Sequence, residues 1–229
     1  MTAIEIARRL AGLNQTQDAM KAYGLALHES AGSNPAGELE AALYILQNGG
    51  DYRRTFTALC NLHRAGHFQS ECLDVLTEAF YTPNVKLLKM RYEKNCRRLA
   101  KYPYLFRRDF PDFDKLPLRF YPFDDNGYVP YDRAENRFGA YVRPRRPVVS
   151  RNFFKNLENP ILAQDVYSQY ELEYLNDNVR KSEFVGRENH IYLHYADWDV
   201  FCAWLQVLNL RPLLEDEKFV FLIGDEISR

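Results

Sequence analysis

The sequence predicts a chain of the α+β / α/β class: an N-terminal helical-repeat-like bundle, a β-hairpin connector rich in proline and aromatics, and a C-terminal β-α-β unit that reads as incomplete. Three observations carry this. Apolar residues recur at helical spacing through the first hundred residues, proline density rises sharply after Tyr102, and two short apolar runs flank a helical one near the end. They divide the chain into a helical part, 1–102, a hairpin and extended basic connector, 103–157, and a partial Rossmann-like α/β segment, 158–229.

A chain of 229 residues can bury a substantial core, and 46% apolar with 14% aromatic residues is a globular composition. No run approaches the roughly 20 apolar residues of a spanning helix. The opening MTAIEIARRLAGLNQ has Glu5 inside its apolar stretch and lacks the charged-then-apolar order of a secretory signal, which points to the cytoplasm. The net charge of −1 conceals a division. Lys and Arg against Asp and Glu number 13 against 10 in residues 1–102, 11 against 7 in 103–155, and 6 against 14 in 156–229. A mildly basic front with an acidic tail argues against a nucleic-acid binder.

In the first part, Ile6, Leu10 and Leu13, then Ala19, Tyr23 and Ala26, mark two amphipathic helices separated by a polar turn at 14–17. GELEAALYILQNGG is a third helix, ended by Gly49 and Gly50. TFTALCNLHRAGHFQSECLDVLTEAFYTPN holds two more, and NVKLLKMRYEKNCRRLAKYP another, with Val85, Leu88, Tyr92, Cys96 and Leu99 as its apolar stripe. Lys94, Arg97, Arg98 and Lys101 stand where the helix dipole favours cations, so this basic face reads as solvated surface. Cys60, His63, His67 and Cys72 are four potential metal ligands, but their spacing fits no zinc pattern, and helix packing is the expected role.

From Tyr102 to Pro147 lie seven of the eleven prolines, too many for helices. LRFYPF and YVPY flank Asp124-Asp125-Asn126-Gly127, whose Asn-Gly is a hairpin signal, while Pro122 and Pro130 demote both arms to edge or irregular strands. The connector that follows holds six arginines in nineteen residues. Of these, Arg143, Arg145, Arg146 and Arg151 are candidates for binding an anion through their planar forks; the competing reading pairs them with the acidic C-terminal third.

NPILAQDVYSQYELEYLNDNVRKSEFVG reads as a long helix after Asn159-Pro160, with Tyr167, Tyr170 and Tyr174 on one side. HIYLHY then reads as a strand, DWDVFCAWLQVLNL as a helix and KFVFLIG as a second strand, parallel to the first. Two parallel strands make no stable sheet, so either the hairpin strands complete it or the natural protein continues past residue 229. Ligands bind α/β sheets beyond the carboxyl ends of the strands, where His194, Asp197, Asp199, Asp225 and Glu226 fall. Asp197 and Asp199 have the D-x-D spacing of metal-dependent nucleotide-sugar transferases, but they also stand where a helix wants an N-cap and a first-turn carboxylate. Capping is the expected role, and no cofactor is implied unless the pair holds Mg²⁺ or Mn²⁺. Neither a dinucleotide-binding loop nor a P-loop is present.

LNQTQDAMKAYGLAL resembles the second helix of a tetratricopeptide repeat, with Ala19, Tyr23 and Ala26 at its small, aromatic and small positions, and the 55–84 segment is similar more loosely. A non-repeat bundle explains the same small-residue contacts. The 159–206 run with RFYPFDDNGYVPYD resembles bacterial multidomain proteins in which a helical-repeat region precedes a glycosyl- or sulfotransferase domain, and the leading segment of motility-associated-factor glycosyltransferases. The resemblance implies a non-catalytic, partner-docking front part of a transferase acting on surface glycans. Its partner would be another protein or a downstream catalytic domain. A stand-alone helical interaction module and a metal-dependent D-x-D transferase are the alternatives.

Overall fold

The computed structural model describes residues 1–29, 32–125, 127–142, 161–178, 190–215 and 217–224. They form a mixed α+β fold with two small sheets, one antiparallel and one parallel.

The front begins with helices α1 (Ala3–Gly12), α2 (Thr16–Glu29), α3 (Pro35–Gln47), α4 (Tyr52–Arg64) and α5 (Gln69–Leu76). Local chemistry starts them. Thr2 and Glu5 form a reciprocal capping box on α1, Asn34 caps α3 ahead of Pro35, and the Asp51 carboxylate accepts the Arg53 and Arg54 amides of α4. Each helix packs on the next in chain order. Between α1, α2 and α3 the core is built largely from alanines, Ala7, Ala19, Ala22 and Ala41, with Tyr23 and Ile45. Small side chains let the helices approach closely. The repeat-like positions Ala19, Tyr23 and Ala26 are buried, and in the more loosely similar 55–84 segment α5 runs on into a π-helical turn, Thr77–Tyr81.

Strands β1 (Leu118–Asp124), β2 (Gly127–Asp132) and β3 (Arg137–Phe138) form an antiparallel sheet in that order. Position 127 has no room for a side chain, because Tyr141 lies directly over Gly127 and a Cβ there would collide with its ring. Pro130 occupies the middle strand rather than an edge. Its carbonyl accepts from Gly139 on the β3 side, so the missing N–H also faces that side, beyond the two residues of β3 that pair. The third strand leaves the sheet there and returns at Val142, which exchanges both backbone hydrogen bonds with Tyr128. Both faces of the sheet are used. Tyr121, Val129, Tyr131 and Phe138 pack with Phe56, Leu59 and Leu76 of the helices, while Phe120 packs on the other side, 4.8 Å from Trp204.

Helix α6 (Val85–Leu99) follows the front in sequence but packs its stripe, Leu88, Tyr92 and Leu99, into the core of the C-terminal part. That part is a parallel sheet ordered β4 (Ile161–Gln164), β5 (Ile191–Tyr195), β6 (Phe219–Ile223). It corrects the expected long helix, which places Ile161–Gln164 inside it. These four residues pair with Ile191–His194, and helix α7 (Gln169–Asn178) begins only at Gln169, the rest of the expected helix, after Asn178, lying outside the described residues. An Asn-Pro start fits the residue before a strand as well as before a helix, and the burial of β4 alternates as a strand's does. The parallel sheet is therefore completed by β4, not by the hairpin, and Phe221 of β6 adds a bridge to Leu105, with its amide on the Tyr104 carbonyl. Helices α8 (Trp198–Trp204) and α9 (Arg211–Leu214) join β5 to β6 in the expected parallel crossover. Among the described residues no helix is long and apolar enough to cross a membrane.

Candidate functional site

The carboxyl edge of the parallel sheet gathers the ends of β4, β5 and β6. His194, the penultimate residue of β5, places Nε2 2.7 Å from the Gly224 carbonyl. A carbonyl only accepts, so this contact fixes the proton on Nε2 and ties the end of β5 to the end of β6. Asp197 is the N-cap of α8: its Oδ1 accepts the Val200 amide at 2.9 Å. Asp199 is exposed in the first turn, on the favourable end of the helix dipole. The capping expectation for Asp197 is met by this bond, and among the described residues no group of three potential metal ligands converges. Asp225 and Glu226, together with the arginine candidates Arg143, Arg145, Arg146 and Arg151, lie outside the described residues.

Residues that the sequence did not place at this edge complete it, among them Tyr167, which was expected on the long helix and lies ahead of α7. Asp165 follows β4 with a left-handed φ of 48°, its amide donating to the His194 carbonyl at 2.8 Å. Its carboxylate accepts from the Ala196 amide and from the Tyr167 hydroxyl, each at 3.3 Å. Tyr167 stacks on Trp204 at 4.9 Å, and burial, reinforced by Asp165, raises its phenol above the ordinary range. Nearby, Arg107 makes a two-pronged ion pair with Asp109 at 2.8 and 3.0 Å, and its guanidinium lies 5.0 Å from the centre of the Trp198 ring. The Trp198 indole N–H donates to the Asp109 carbonyl. One signal was available: Asp165 and Asp197 each follow an apolar run by one or two residues, the usual end of a strand in such a sheet. The bonds of Asp165, His194 and Asp197 hold strand ends together and start a helix.

The cysteines are equally occupied by packing. Burial pushes the Cys60 thiol up to about 12 and the Cys72 thiol up to about 11, which suppresses the thiolate that nucleophile or metal-ligand chemistry needs. His63, between them in sequence, is buried with neither ring nitrogen hydrogen-bonded, its ring edge-on to Phe138 at 5.0 Å and Tyr131 at 6.0 Å. Burial lowers its pKa, keeping it neutral. The Cys60, His63 and Cys72 group is aromatic and aliphatic core.

The concavities lie elsewhere. A furrow runs along the front in three recesses of about 460, 390 and 660 Å³. Gly24 and Arg54 belong to the walls of the first two, and Thr57 to those of the last two, so neighbouring recesses adjoin. The widest opens where the third strand leaves Pro130, between Phe56 and Cys60 of α4 and Phe138 to Tyr141. Arg64 crosses its end and donates to the Phe138 carbonyl at 3.0 Å and to the Gly139 carbonyl, holding the departing strand against α4. No family model, curated protein or solved structure matches this chain.

Proposed function

We propose that this chain is a non-catalytic docking scaffold whose helical front and antiparallel sheet receive an extended segment of a protein partner. The adjoining recesses support this reading: together they extend from α2 across α4 to the β2 strand at Pro130, an elongated concavity suited to a peptide rather than a compact pocket suited to a small substrate. Engagement of Asp165, His194 and Asp197 in bonds within the chain supports a structural role for the sheet edge. The assignment to a transferase acting on surface glycans rests on the resemblance of the 159–206 and 119–132 runs, and within it the docked segment belongs to a catalytic domain downstream or to a separate enzyme.

Thr57→Trp tests the docking role, because this exposed residue stands where two recesses join. A displayed library of random dodecapeptides is selected on the wild-type protein and on the variant. Peptides that bind the wild type at least tenfold more tightly are expected; equal enrichment on both proteins, or none on either, overturns the reading. Turnover of a nucleotide sugar or an activated sulfate by the chain alone would overturn its non-catalytic part.

A further inference from the structure

Helix α6 holds a second feature, independent of the furrow. Arg91, Lys94 and Arg98 follow one another at i, i+3 and i+7, on one face. They line a recess of about 430 Å³, closed opposite by Asp125 and Tyr128 of the hairpin and by Gln169 and Asn209 of the C-terminal part. A bland reading is available, since Lys and Arg are at home toward the C-terminal end of any helix. Two observations go beyond it. The three cations line a concavity with polar walls, Arg91 and Arg98 being half-buried there, and among the described residues none of them makes an ion pair. Arg91 is fixed in place by neutral oxygens alone, donating to the Tyr128 hydroxyl at 3.1 Å and the Val207 carbonyl at 3.4 Å. Three like charges gathered around one hollow repel each other unless an anion joins them.

The charge and the volume define that anion. Three cations against the single carboxylate of Asp125 leave a net charge of +2 in the walls. A phosphate monoester carries close to two negative charges at neutral pH and presents oxygens that suit arginine forks and a lysine ammonium. The recess exceeds what a bare oxyanion fills and falls in the range of small-ligand sites. Asp125 and the exposed Asn209 side chain offer acceptors and a donor for hydroxyl groups on the remainder of such a molecule. We propose that this recess is a binding site for the phosphate monoester of a small polyhydroxylated molecule, with Arg91, Lys94 and Arg98 holding the phosphate and the opposite wall holding the hydroxyls.

The test is titration calorimetry in a chloride buffer with inorganic phosphate, sulfate and a panel of hexose 1- and 6-phosphates. The wild type is compared with Lys94→Gln/Arg98→Gln, and with Lys86→Gln/Lys89→Gln as a control elsewhere on α6. At least one hexose phosphate is expected to bind tenfold or more tightly than either inorganic ion. The first variant should weaken it at least tenfold while the control leaves it unchanged, with the urea midpoint of each variant confirming the fold. Equal affinity for inorganic phosphate and the esters, absence of heat with all of them, or equal weakening in both variants would each overturn the proposal.

Discussion

At the level of single residues, Asp197 is the best example of local chemistry deciding a role. An aspartate that follows a strand and precedes an apolar-periodic run has an amide three residues ahead to accept, and here Val200 supplies it at 2.9 Å. Asp197→Ala should therefore lower stability by about 1 kcal/mol, while Asp197→Asn and Asp197→Ser, which keep a capping oxygen, should retain most of it. Urea denaturation of the three variants checks this. A metal ligand would behave differently: Asn and Ser would not rescue it, and added Mn²⁺ would raise the wild-type midpoint. Asp197 was legible because an N-cap depends only on its immediate neighbours. Asp165 was not, because its position matters only once β4 pairs with β5, a contact between residues about thirty apart.

At the level of elements, the periodicity of the front marked α1 to α6 well, since each is long enough to show an apolar stripe. The segment after β5 was harder. Its apolar pattern runs on through Leu205, Val207, Leu208 and Leu210, all buried, yet α8 ends at Trp204. Three buried amides account for the difference. Asn95 of α6 donates to the Leu205 and Leu208 carbonyls at 2.9 and 2.8 Å. Gln206 donates to the Leu118 and Ala203 carbonyls, and Gln169 both donates to and accepts from the Asn209 backbone. The Leu205 and Leu208 carbonyls and the Asn209 amide are thus taken by side chains of α6 and α7, and Gln206 ties the same segment to β1. Asn95→Leu, close in size, should leave two buried carbonyls unpaired and cost about 2–4 kcal/mol. The measurement is the urea midpoint against wild type; a loss below about 0.5 kcal/mol would mean that the turn holds itself, since surface substitutions typically stay within that range. Such a clamp is invisible in one sequence, because nothing local to Asn95 announces partners more than a hundred residues away.

At the level of the whole molecule, the antiparallel sheet stands between two cores. The alternation of side chains along β1 sends Phe120 to one and Tyr121 to the other, so neither core is complete without the same strand. The sequence indicated a hairpin but assigned it to a connector. Aromatic residues on both faces, Phe120 and Tyr128 against Tyr121 and Tyr131, were the signal that both would be covered. The two cores should accordingly unfold together. Both tryptophans, Trp198 and Trp204, lie on α8 and report the C-terminal side, whereas circular dichroism at 222 nm is dominated by the front helices. The two signals are expected to share one urea midpoint. Tyr121→Ala, whose side chain belongs to the front core, should shift the tryptophan signal as far as the helical one. Separate midpoints would show two independent units.

A row of helices stacked one upon the next always leaves its final apolar side bare, and nothing in the stacking itself says where to stop. In this chain the stop is written as strands: Tyr121, Val129, Tyr131 and Phe138 seal the side that α4, α5 and the π-helical turn would offer to a sixth member. Growth by copying, the ordinary route by which such rows diversify, is closed at one end.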